Sequence, residues 1–92
     1  MPEVVGDPDV IESFSRELDQ YCRDTVESLL RVRSHLESME NDRTWADERY
    51  RAYLSMFDDA SGVLREVAER MREEHTQHLS GVVQRLRAYH ES

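Results

Sequence analysis

The chain is predicted to be all-α, an antiparallel two-helix hairpin that associates into a four-helix bundle. Three observations lead there. Apolar residues recur at steps of three and four through two long segments. A short polar run, Glu40-Asn41-Asp42-Arg43-Thr44, separates them and ends on Trp45, the only tryptophan. No strand pattern, Gly-rich loop, internal repeat or low-complexity tract interrupts either segment. At 92 residues the chain is expected to be a single hairpin domain spanning 1–92.

Residues 1–7 read as an extended tail. Asp7 before Pro8 is a helix start, because the Asp side chain caps free N–H groups and Pro suits the first helical position. The first helix is expected over about 8–40. Its stripe is Ile11, Phe14, Leu18, Tyr21, Thr25, Leu29, Val32, Leu36 and Met39, and Cys22, four residues after Leu18 and three before Thr25, falls on its inward side. The opposite face sets Glu12 before Arg16, Asp19 before Arg23 and Glu27 before Arg31. Each is an acid four residues ahead of an Arg, a pairing that stabilises a solvated helix face by about 0.3 kcal/mol.

The turn is expected at 41–44. Thr44 with Asp47 resembles a capping box, with Asp in place of the usual Glu or Gln, and Asp42 is a second candidate N-cap. The second helix is expected over about 45–90. Its stripe is Tyr50, Tyr53, Phe57, Ala60, Leu64, Val67, Met71, His75, His78, Val82, Leu86 and Tyr89. Gly62 and Gly81 each cost about 1 kcal/mol relative to Ala inside a helix. Ser61 is a candidate cap for a fresh start, but the stripe keeps its phase from Phe57 to Leu64, so a continuous helix is expected. The small residues also admit the close approach of a neighbouring helix.

Composition narrows the function classes. Twenty acidic against 12 basic residues leave a formal charge of −8, and every basic residue is Arg. Nucleic acids and anionic membranes select a basic footprint, so neither is the expected partner. No apolar run reaches membrane-spanning length. The opening Met1-Pro2-Glu3-Val4-Val5 lacks the basic and apolar regions of a signal peptide. A cytoplasmic location, or export without a cleaved signal, is therefore expected. Cys22 is the sole cysteine, excluding an internal disulfide, and reads as a small buried hydrophobe.

Chemistry has little to stand on. Glu73-Glu74-His75-Thr76-Gln77-His78 gathers potential ligands on one helix, with Asp9 and Glu12 expected across from them. Di-iron bundles use Glu-x-x-His, whereas Arg72 precedes His75 by three and His75 precedes His78 by three. His35 and His90 stand apart from any nucleophile and base, and the adjacent acids Asp58 and Asp59 point apart. No catalytic, cofactor-binding or metal residue is assigned, and no enzyme is expected.

Two thin helices hide a single seam, so association with a second copy or another helical protein is expected. With a turn near residues 42–43, facing residues have numbers summing to about 86. Val82, Val83, Leu86 and Tyr89 then overhang the first helix and form the candidate interface, covered by the Val4-Val5 tail or by another chain.

A helical hairpin near a hundred residues with a Trp in its turn resembles the WXG family of small bacterial type VII secretion proteins. The match rests on Trp45 in its two-helix setting, and the third motif position is Asp47 instead of Gly. The resemblance implies structural roles for Trp45 and Asp47 in shaping the turn. In the founding members, export resembles the reading of a Tyr followed four positions on by an acid. Tyr89 is the last tyrosine here, so the resemblance implies architecture and a dimerising habit better than export. The expected function is a dimerising subunit, chaperone or targeting partner of a type VII-related secretion or effector system. The alternatives are a cytoplasmic adaptor or antitoxin-like acidic module, and an oligomeric metal-binding bundle.

Overall fold

A computed structural model describes residues 5–91, and all regular structure among them is helical. Helix α1 spans Pro8–Asn41. Asp7 starts it, accepting through Oδ1 from the N–H groups of Asp9 at 3.0 Å and Val10 at 3.5 Å. Residues 1–4 of the expected tail, Val4 among them, lie outside the described residues.

The end of α1 is closed by two backbone bonds typical of a Schellman motif. The Arg43 N–H donates to the Glu40 carbonyl at 3.1 Å, and the Thr44 N–H donates to the Met39 carbonyl at 3.0 Å. This geometry needs a left-handed residue between them, and Arg43 supplies it at φ 59°. The Met39 carbonyl also accepts from the Trp45 N–H at 3.2 Å and from the Thr44 hydroxyl at 3.2 Å.

Those bonds correct the expected start of the second helix. Thr44 is committed to closing α1 and does not cap the second helix, and Asp42 terminates α1. Asp47 is the N-cap, accepting from the Tyr50 N–H at 2.9 Å. Helix α2 therefore begins at Glu48, three residues later than expected, and the turn is correspondingly longer. It runs Glu48–Arg70, passes through a π turn at Met71–His75 and continues as α3, Thr76–Glu91. These three form one uninterrupted second arm. Gly62 does not break it: the Ser61 hydroxyl bonds back to the Asp58 carbonyl at 3.3 Å. A Cβ at Gly62 or Gly81 meets nothing within 4 Å, so neither glycine serves close packing inside the chain.

The two arms form a hairpin whose core is one narrow seam. Cys22, Leu36, Tyr50, Ala68 and Val83 are buried in it, with Ile11, Leu18, Leu29, Leu54, Phe57, Met71 and Leu79 half-buried alongside. Tyr50 ties the arms together, its hydroxyl donating to the Leu36 carbonyl at 2.8 Å. The body measures 67 × 19 × 15 Å. Its radius of gyration is 20.4 Å, against about 12 Å for a compact domain of this length. Accessible surface is 7394 Å², where a compact chain of this mass exposes about 5,600 Å².

The register drifts along the hairpin, which corrects the expected overhang. Near the turn, Leu36 faces Tyr50, at a sum of 86. In the middle, Arg33 meets Asp58 and Asp19 meets Arg72, both at 91. At the open end the Gly6 carbonyl lies 3.4 Å from His90 Nε2, a sum of 96. The first step of the drift, to 91 at Asp58, precedes the π turn, whose one extra residue adds to the drift toward the open end. Val83 is consequently in the core, and a Cβ at Gly6 would come within 2.8 Å of Leu86 Cδ1.

Candidate interaction face

Each residue turns an α-helix by about 100°, so the seam divides the hairpin into two broad faces. One is polar and stitched by ion pairs that cross between the arms. Arg33 holds Asp58 with a fork, Nε to Oδ1 at 2.7 Å and Nη2 to Oδ2 at 3.3 Å, and reaches Glu37 at 2.7 Å. Arg72 binds Asp19 at 2.7 Å, and Arg23 binds the same carboxylate at 3.0 Å. Arg87 spans Glu12 at 2.5 Å and Asp9 at 3.2 Å. The Asp58 hydrogen bond holds the Arg33 guanidinium above its ordinary range against its own desolvation, and Glu12 with Asp9 does the same for Arg87.

The other face is apolar. Seven-residue steps on α1 align Phe14 with Tyr21, and Leu18 with Thr25, Val32 and Met39. On the second arm the same steps align Tyr53 with Ala60 and Val67, and Phe57 with Leu64 and Met71. Among these and their neighbour Met56, the large side chains Phe14, Tyr21, Val32, Tyr53, Met56, Leu64 and Val67 are between 46 and 68% exposed. Those on α1 precede their seam neighbours, Tyr21 before Cys22 for example, and so do those on α2, Val67 before Ala68. In antiparallel helices a rotation of the same sense leads to the same side, so the two half-faces join into one surface.

At the turn this surface ends in an aromatic cluster. The Trp45 indole packs edge-on to Tyr50 with centroids 5.4 Å apart and tilted over Tyr53 at 5.8 Å. Its Nε1 donates to Asp47 Oδ1 at 3.1 Å. Beside it an open groove on α1 is lined by Ser28, Arg31, Val32, His35, Leu36 and Met39. Burial pushes the Tyr50 hydroxyl above the usual phenol range, and Glu40 adds to the shift.

The four residues named from sequence as a candidate interface fall in different environments. Val83 is core, Val82 and Leu86 are half-buried, and Tyr89 is exposed with its ring 5.6 Å from that of His90. The expected meeting of Asp9 and Glu12 with His75 and His78 does not occur. The drifted register hands both acids to Arg87, while both histidines are exposed. Among the described residues no group of three or more His, Cys, Asp or Glu is placed to hold a metal ion, and no helix is long and apolar enough to cross a membrane.

Sequence reasoning assigned Phe14, Tyr21, Val32, Tyr53, Leu64 and Val67 to the intrachain stripe. The signal that they form a second surface was present: Tyr21 beside Cys22 and Val67 beside Ala68 make the stripe wider than one helix-helix seam covers. No family model, curated protein or solved structure matches this chain.

Proposed function

We propose that the chain is a non-enzymatic protein–protein interaction module that completes a four-helix bundle through its apolar broad face. In this reading it is a WXG-like dimerising subunit, chaperone or targeting partner of a type VII-related secretion or effector system. It acts in the cytoplasm or leaves it without signal cleavage. The observation that carries the reading is the continuity of exposed apolar side chains across both arms, Phe14, Tyr21 and Val32 beside Tyr53, Leu64 and Val67. An exposed apolar patch of this extent marks an interaction surface on a water-soluble chain. The groove on α1 is open to solvent, and Trp45 with Asp47 shapes the turn.

The formal charge of −8 favours one second reading, an adaptor or antitoxin-like module whose acidic surface attracts a basic partner. Light scattering and circular dichroism of a Tyr21→Glu/Val67→Glu variant test the principal reading. The variant is expected to keep its helicity and lose self-association or capture of a helical partner. Unchanged association by this variant overturns the use of the face. Recovery of full-length chain from the medium selects the secretion reading, and retention in cells with salt-sensitive capture of a basic protein selects the adaptor.

A further inference from the structure

The seam of the second arm follows a seven-residue repeat. Leu54, Ser61 and Ala68 make one row and Phe57 with Met71 the other, all of them buried or half-buried. An unbroken helix continues these rows to His75, Val82 and Tyr89, and to His78 and Arg85. The chain does otherwise. The π turn at Met71–His75 takes up one extra residue, and the rows resume at Thr76 and Val83, and at Leu79 and Leu86. Those four are buried or half-buried, while His75, His78, Arg85 and Tyr89 stay exposed. Across the turn the Thr76 hydroxyl donates to the Arg72 carbonyl.

From these two overlapping rows we infer that the π turn is a register switch. The open end of the second arm has two seatings on α1, one residue apart, and forming or annealing the π turn exchanges them. Resting on the reading of the apolar face as the working surface, the switch sets the character of that face at its open end. In the present seating Val82 stands one residue before the core residue Val83, as Val67 stands before Ala68, and Tyr89 lies seven residues further on. Both therefore extend the broad face. Annealing turns α3 by about 100°, takes Val82 and Tyr89 into the seam and puts Gly81 and Ala88 in their places. Glu74 and Gln77 then replace His75 and His78. The face becomes polar or bare over its open end.

The two seatings are closely matched. Leu79, Val83 and Leu86 favour the present one, along with the reach of Arg87 to Glu12 and the contact of Gly6 with Leu86. The other offers Val82 and Tyr89 to the seam and restores an unbroken helix, with His75 and His78 as its weak points. Interdigitated helices hold discrete arrangements, so rotations between the two are disfavoured. A partner that grips Val82 and Tyr89 binds one seating only and holds the π turn formed. By linkage, whatever anneals the turn releases that partner.

Thiol alkylation of the full chain tests the switch at concentrations too low for association. In a Cys22→Ala background, Val83→Cys and Arg85→Cys are separate reporters: position 83 is core now, and position 85 is exposed apart from its bond to the Gly81 carbonyl. Adding His75→Leu/His78→Leu fills the weak points of the other seating. Iodoacetamide is then expected to react about tenfold faster at Val83→Cys and about tenfold slower at Arg85→Cys, with helicity kept. This reciprocal change supports the switch. Acceleration at both positions means fraying, and no change at either means a single seating; each overturns it. Deleting Glu74 from the same leucine variant removes the residue to be annealed and is expected to restore the original pattern, whereas a persistent swap overturns the π turn as pivot. If the leucine variant does not fold, Leu79→Ser/Leu86→Ser weakens the present seating instead. It is expected to slow Arg85→Cys, and an unchanged or faster rate overturns the inference. None of these rates needs a partner. A swap in a chain whose association survives Tyr21→Glu/Val67→Glu sinks the working face and leaves the switch standing.

Discussion

One oxygen of Asp47 serves two donors: Trp45 Nε1 at 3.1 Å and the Tyr50 N–H at 2.9 Å. The same carboxylate therefore starts α2 and pins the indole against Tyr50 and Tyr53. This is why Asp stands two residues after the Trp. Its acceptor reaches both the Tyr50 N–H in the first turn of the helix and the ring that covers the helix end.

Removing that acceptor separates the two effects. Asp47→Ala is expected to lower hairpin stability by about 1–2 kcal/mol, with a shifted Trp45 emission as the indole loses its partner. Asp47→Asn, which keeps one acceptor, is expected to lose less than half as much. Urea unfolding followed by fluorescence reads both. Equal losses in the two variants would show that charge, not capping geometry, governs the turn.

Arg43 holds the left-handed position that closes α1. A side chain there is strained by Cβ, and glycine relieves the strain. Arg43→Gly is expected to raise stability by about 0.5–1 kcal/mol, seen as a higher thermal midpoint. A lower midpoint would mean that the Arg43 side chain makes a contribution larger than the strain.

Tyr50 makes stability fall in alkali. Its folded pKa lies above the ordinary value of 10.0 because burial disfavours the phenolate. The folded state therefore holds the proton longer than the unfolded state does. This contribution is complete below pH 10.0 and declines as pH climbs through the folded value. Tyr50→Phe is expected to lower stability at neutral pH, through loss of the bond to the Leu36 carbonyl, and to flatten the alkaline decline. Parallel pH profiles for the two proteins would locate the alkaline sensitivity elsewhere.

The π turn at Met71–His75 makes the second arm one residue longer than a regular helix over the same rise. Deleting exposed Glu74 places Thr76 four residues after Met71, one α-turn onward, and keeps the α3 seam facing α1. That deletion is expected to keep most of the helicity and cooperativity. Deleting Ala60 instead rotates everything beyond it by about 100° and is expected to unfold the open end. Circular dichroism melts compare the two, and similar losses would show that the extra residue is not interchangeable with a regular turn.

Val83 tests the corrected register. As a core residue it is expected to cost about 1–2 kcal/mol when replaced by Ala, measured by urea unfolding at concentrations too low for association. A change near zero would return it to the exposed overhang expected from a simple turn-centred register.

The period of the apolar residues, Asp7-Pro8 at the start and the polar run before Trp45 were enough to identify two long helices and the hairpin between them. Those signals are local. A step of three or four residues, a cap acceptor and a fixed proline φ act within one or two turns of backbone. What needed the third dimension was the division of the stripe. Tyr21 and Cys22 are adjacent and both suited to burial, yet the seam takes Cys22 and leaves Tyr21 bare, because two cylinders touch along a line narrower than the apolar arc. The register likewise depended on bonds the sequence does not announce. Thr44 is spent on the Met39 carbonyl, and an extra residue enters at Met71–His75. The drifted register brings Arg87 to Glu12 and buries Val83. Helix identity was thus determined by local chemistry in the sequence. The exposed apolar face was decided by tertiary structure, because only the packing of one arm on the other selects which apolar residues remain exposed.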